Sequence, residues 1–298
     1  MEENPEIEPM LYRTTSFRCG GHQLVYDQYG TDGPLLVYLH GLLLDSDLNR
    51  GLAAAIAERG HRVVLLDLLG HGRSDRPTHA SSYRIDSYAE QVMGLLDELG
   101  AERAVLGGLS LGANVSLFAA AQHPERVSGL VLEMPVLEWA VPSAALLFSP
   151  MLLMAHYART PLQWVSRQLR RLPPSPFPAL DSLVHAGATP PEVMAAVLHG
   201  VLVGPVAPTM EQRQALAAPA LILGHRYDLI HPFDDAANLL RQIPDATLLR
   251  AHSPVELRLR PARLTEEIVA FLDRVADRTA WDRAPSEAPP VRRRSDVG

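Results

Sequence analysis

Six short apolar runs, separated by amphipathic stretches, set the strongest limit on how this chain can fold. Residues 35–40, 62–68, 104–108, 129–133, 220–224 and 247–251 are dominated by Val, Leu, Ile and Ala, the pattern of strands buried on both faces. Between them Tyr88, Val92, Leu95, Leu96 and Leu99 recur at helical spacing, as do Leu52, Ile56 and Ala57, and Gly60 and Gly100 stand where helices stop. Strand and helix in alternation predict a mostly parallel, doubly wound α/β sheet with crossover helices. Upstream, Gly20 and Gly21 separate two polar-apolar runs within residues 16–29, which predicts an antiparallel hairpin joined to the sheet edge.

The alternation breaks over residues 135–218, where apolar, Pro-punctuated helical segments take over. So long a strand-free insertion needs structure of its own, and it is read as a helical cap over the carboxyl edge of the sheet. The expected organisation is a flexible segment 1–14, an α/β core of residues 15–134 and 219–277, the cap at 135–218, and a disordered tail at 278–298. The last core helix is expected over residues 263–275, with Leu264, Ile268, Phe271 and Leu272 on one face.

Charge and cysteine content exclude several functions. All 27 basic residues are Arg, scattered among 34 acids for a net charge of -7, so no nucleic-acid partner is expected. The dense run Arg292, Arg293 and Arg294 lies in the tail. A single Cys19 leaves no intramolecular disulfide and no cysteine metal cluster. Residues 1–10 are acidic and lack the pattern of a signal peptide. The one long apolar stretch, 139–157, is interrupted by Pro142, Pro150 and His156, so it falls short of a span of about 20 residues and is read as a buried or cleft-lining helical region. A soluble, cytoplasmic protein with a small-molecule substrate and no membrane partner is the expectation.

Ligands and reacting groups of an open parallel sheet gather at the carboxyl ends of its strands, and few polar residues stand there. The run 104–108 enters Gly107, Gly108, Leu109, Ser110, Leu111, Gly112 and Ala113 and continues as a helix. A serine at such a sharp turn has the form of a nucleophile elbow, whose close strand-to-helix contact leaves no room for bulky neighbours. Asp228 follows the run 220–224 and His252 follows 247–251. A serine hydroxyl is a poor nucleophile unless an imidazole takes its proton and a carboxylate orients that imidazole. Ser110, Asp228 and His252 supply these groups at one sheet edge. The backbone amide of Leu111, at a helix start, and that of Leu42, in the loop after His40, are the expected oxyanion donors.

These residues resemble the α/β-hydrolase superfamily, in its serine branch with a helical cap. The resemblance covers residues 15–275 and rests on His40 and Gly41, the turn Gly70, His71, Gly72, Arg73 and Ser74, the Ser110 elbow, the acid loop from Gly224 to Asp228, and His252. It implies Ser110 as nucleophile, Asp228 as acid, His252 as base, and the amides of Leu42 and Leu111 as oxyanion hole; no metal and no organic cofactor is expected, because the sequence has no Cys or His cluster and no phosphate-cradling Gly pattern in the right context. The family's usual Gly before that histidine is Ala251 here, and a charged run, Glu256 to Arg260, follows it. His231 and His225 are therefore the alternative bases, although His231 before Pro232 also reads as a helix start, and the resemblance offers Glu133, after the run 129–133, as the alternative acid. The expected reaction is hydrolysis of a carboxylic ester or lactone with an apolar moiety through an acyl-enzyme. Carbon–carbon bond hydrolysis, amide hydrolysis and perhydrolysis use a similar triad, and a degenerate fold that only binds a small apolar ligand or a partner is the contrasting reading.

Overall fold

The hairpin and the six apolar runs pair into one eight-stranded sheet. The computed structural model of the chain describes residues 12–225, 228 and 230–283. Its strands are β1 (Arg13–Cys19), β2 (His22–Tyr29), β3 (Leu35–Leu39), β4 (Arg62–Asp67), β5 (Ala104–Leu109), β6 (Val127–Glu133), β7 (Ala220–His225) and β8 (Ala246–Ala251). Their order across the sheet is β1-β2-β4-β3-β5-β6-β7-β8. The hairpin pairs antiparallel, β2 also meets β4 antiparallel, and every pairing from β4 to β8 is parallel. Gly20 and Gly21 close the hairpin with φ of 57° and 84°, the left-handed pair that a two-residue turn requires.

The central strands carry apolar side chains on both faces because helices cover both. On one face α2 (Ile85–Glu98), α3 (Leu111–Gln122) and α9 (Phe233–Gln242) bury Val92, Leu96, Val115 and Leu239 against Val37, Leu106 and Leu132. On the other, α1 (Arg50–Ala57) and α11 (Ala262–Arg283), the latter preceded by the short α10 (Glu256–Leu259), bury Ile56, Leu264, Ile268 and Phe271 against Leu36, Leu65 and Val131. Every residue of α3 from Leu111 to Ala120 is buried, as an all-round apolar helix in a core must be. α11 runs to Arg283, beyond the expected end at Val275, and β1 begins inside the segment expected to be flexible. The rest of the two expected terminal segments, residues 1–11 and 284–298, lies outside the described residues.

Between β6 and β7 lie α4 (Val141–Tyr157), α5 (Arg159–Leu169), α6 (Pro178–Ala188), α7 (Pro191–Val203) and the short α8 (Met210–Gln214). Two buried side chains fasten this insertion to the sheet layer. Asn114 of α3 donates to the carbonyls of Val136 and Val206, one at each end of the insertion, and accepts from the Val136 amide. Asp235 of α9 accepts from the amides of Leu137, Trp139 and Ala140. Of the two readings of residues 139–157, buried or cleft-lining, the structure favours the second: Ala155 is the only buried residue of α4, while Leu146, Leu147 and Phe148 line a cleft and the remaining apolar side chains lie part-buried or in solvent.

Candidate active site

Ser110 stands between β5 and α3 with φ 52° and ψ −106°. A non-glycine residue in that region stores on the order of 1–3 kcal/mol. Its neighbours hold it there. The Ser110 amide donates to the Glu133 carbonyl at 2.8 Å, and the Ser110 carbonyl accepts from Asn114 at 3.0 Å. Gly108 and Gly112 meet at the crossing of β5, α3 and β3, where a Cβ on Gly112 would sit 2.5 Å from the Leu39 carbonyl oxygen and one on Gly108 2.6 Å from it. Glycine at both positions is what lets the turn close.

Asp228 and the serine are linked by an imidazole, and it is that of His231. His231 Nε2 lies 2.9 Å from Ser110 Oγ, and His231 Nδ1 lies 2.8 Å from Asp228 Oδ2. The other carboxylate oxygen of Asp228 accepts the amides of Ile230 and His231. These bonds and the imidazole outweigh burial and hold the Asp228 carboxyl down at about 2. An ionised Asp228 can only accept, so Nδ1 carries the ring proton and Nε2 is free to accept the serine O–H.

His252, the base expected from its place after β8, is not in this cluster. Its side chain is 77% exposed, with Nδ1 3.5 Å from Glu256 Oε1, and its amide also donates to Glu256. Glu256 is in turn bound by Arg263, so the charged run after β8 draws this loop toward α11. His225 is buried at the end of β7, and the imidazole hydrogen-bonded to Ser110 Oγ is that of His231. Glu133, the alternative acid, faces other partners: Arg258 grips both its carboxylate oxygens at 2.9 Å and Tyr38 donates to Oε2 at 2.6 Å.

The loop after β3 is braced from beneath. His40 Nε2 accepts the Leu68 amide at 3.1 Å, so Nδ1 is the donor to the Gly41 carbonyl at 2.8 Å. Burial pushes the His40 pKa down and fixes this neutral form. The His71 ring lies 4.9 Å away, tilted by 48°, and its pKa is lowered to about 3, chiefly by burial. The turn above closes from the Gly41 carbonyl to the Leu44 amide, which leaves the Leu42 amide in its middle without a partner in the turn. The Leu111 amide opens α3 and has no carbonyl behind it in the helix.

Ser110 lies where two cavities meet. An outer cleft of about 890 Å³ is lined by Ser110, Asp228, His231, Gly41 and Leu42, with Leu146, Leu147 and Phe148 of α4 across from them. An inner pocket of about 250 Å³ shares Ser110, Leu42, Phe148 and Ile230 and is otherwise walled mainly by Leu111, Val136, Val141 and Val201. Both are apolar except at the serine, the acid–imidazole pair and a few isolated polar groups.

Comparison with known proteins agrees with this architecture. The model of the family described as alpha/beta hydrolase fold matches residues 34–183. Epoxide hydrolase B of Mycobacterium tuberculosis is 40% identical over 99 residues, 33% of this chain and 28% of that protein. A putative non-heme haloperoxidase of Mycobacterium phage D29 is 35% identical over 113 residues, 38% of this chain and 39% of its own length. The match thus spans little more than a third, at most, of these relatives. Among solved structures, the enol-lactonase of Burkholderia xenovorans LB400 superposes with a TM-score of 0.70 at 22% identity, covering 87% of this chain and 100% of that one. A thermophilic esterase of Thermogutta terrifontis gives 0.68 at 23%, covering 89% and 99%. At such identities the likeness is one of fold.

Proposed function

The chain belongs to the α/β hydrolase fold family, and from that premise we propose that it is a serine hydrolase that cleaves a carboxylic ester or lactone through an acyl-enzyme. The observation that carries this reading is the chain of contacts from Ser110 Oγ to His231 Nε2 and from His231 Nδ1 to Asp228. Ser110 attacks the carbonyl carbon as its proton passes to Nε2. The alkoxide of the tetrahedral intermediate is received by the amides of Leu42 and Leu111. His231 then gives the proton to the leaving alcohol, and water, deprotonated by the same nitrogen, releases the acid. Asp228, ionised well below neutral pH, stabilises the imidazolium in both steps.

The apolar walls on either side of Ser110 suit a substrate with apolar groups flanking the carbonyl, one toward α4 and one in the inner pocket. The helical insertion acts as the cap that supplies the first of these walls. Although relatives carry the names epoxide hydrolase and haloalkane dehalogenase, a serine suits neither reaction. Its attack on a saturated carbon would leave an ether, which has no carbonyl for water to attack. The assembled contacts also favour turnover over the binding-only reading. Hydrolysis of short-chain nitrophenyl esters tests the proposal: wild-type protein turns them over and Ser110→Ala does not. Absence of turnover across esters and lactones, or an undiminished rate in Ser110→Ala, refutes it.

A further inference from the structure

From Trp139 to Leu180 the chain carries four Arg and neither Asp nor Glu, within a protein whose net charge is -7. The same segment exposes its apolar side chains. On α4 the solvent-facing positions Leu146, Leu147, Leu153, Met154 and Tyr157 follow a helical period, with Leu146 79% and Tyr157 81% exposed. An amphipathic helix normally turns such a stripe toward the core. Trp164 on α5 and Phe177 before α6 extend the pattern. Arg159, Arg167, Arg170 and Arg171 all lie exposed, and none forms an ion pair among the described residues: Arg167, Arg170 and Arg171 bond only to neutral oxygens.

We propose that this outer face of the insertion docks on an anionic lipid bilayer. Aromatic and aliphatic side chains beside guanidinium groups without an ion-pair partner, on a stretch free of carboxylates whose bordering acids Glu138 and Asp181 are engaged by Arg213 and the Ser175 amide, form the composition that lies in a membrane interface. Arg side chains can lay their stems along apolar surface and keep the charge at the headgroups. Attachment is at the surface, because no single helix among the described residues is long and apolar enough to cross, and α4 and α5 meet at 101°. Leu146 and Leu147 also line the outer cleft of Ser110, so docking sets the mouth of that cleft against the lipid. Docking itself does not depend on the proposed hydrolysis.

Vesicle co-sedimentation of the full chain tests this, using equal parts phosphatidylcholine and phosphatidylglycerol against phosphatidylcholine alone. The protein is expected to bind the anionic vesicles only and to be released by high salt, and Ser110→Ala binds equally well. Arg167→Glu/Arg171→Glu is expected to weaken binding at least about tenfold, and Tyr157→Ser/Trp164→Ser likewise, while both variants keep the wild-type melting temperature and wild-type turnover of a soluble ester. Failure to bind either vesicle, or unchanged binding in both variants, overturns the proposal. So does a dimer seen by light scattering that Tyr157→Ser/Trp164→Ser converts to monomer, which would assign the face to a second copy.

Discussion

Arg258→Met is expected to destabilise the protein through a residue far along the chain from the nucleophile. Arg258 and Glu133 are buried, with side chains only 8% and 5% exposed, and are joined by two parallel hydrogen bonds at 2.9 Å. Removing the guanidinium leaves the Glu133 carboxylate in the interior with Tyr38 as its one side-chain donor. Breaking one side of such a pair costs about 3–5 kcal/mol, whereas replacing both charges is often close to neutral. At about 2–4 °C per kcal/mol for a chain of this class, Arg258→Met should lower the melting temperature by roughly 10 °C. Glu133→Gln keeps an acceptor for Tyr38 and removes the charge, so the double variant Arg258→Met/Glu133→Gln should recover about 2 kcal/mol relative to the sum of the singles. Denaturant unfolding of the four proteins measures this. A loss within about 1 kcal/mol for Arg258→Met, or strictly additive singles, would refute the reasoning. Because the Glu133 carbonyl also receives the Ser110 amide, the variants report on the support of the elbow as well.

Two further outcomes follow from the electrostatics. Asp228→Asn should lower ester turnover by roughly 10⁴-fold, since the amide no longer demands the tautomer that leaves Nε2 free, and a loss below tenfold would remove Asp228 from the mechanism. Asp47, beside Asp45 and Arg50, is pushed up to about 6 by burial and by Asp45, whereas an unfolded aspartate titrates near about 4. Its contribution is therefore present below about pH 4 and lost as the pH rises through about 6, so stability falls across that window. Asp47→Asn should flatten this fall in pH-dependent unfolding, and an unchanged slope would contradict the assignment.

The sheet was legible because strands covered on both faces cannot hide their apolar runs, and the elbow because Gly108 and Gly112 answer to a crossing that tolerates no Cβ. The imidazole was harder to read. His231 follows Asp228 by three residues and precedes a proline, the signature of a helix start, and only the carboxylate's grip on the Ile230 and His231 amides shows how a single turn can present both groups to Ser110. Ala251 and the charges from Glu256 onward were the signal that the loop after β8 is held away from the serine. Glu256 draws it to Arg263, and Arg258 clamps Glu133. The exposure of α4 could not be read from sequence, because periodicity locates a stripe on a helix without saying what faces it.

Which imidazole serves Ser110 is most directly measured by fluorophosphonate labelling with the adduct mapped by peptide mass spectrometry. Ser110 is expected to carry the label in wild-type protein and in His252→Ala at matching rates, and to label orders of magnitude more slowly in His231→Ala. Fast labelling of His231→Ala together with loss of labelling in His252→Ala would contradict the account.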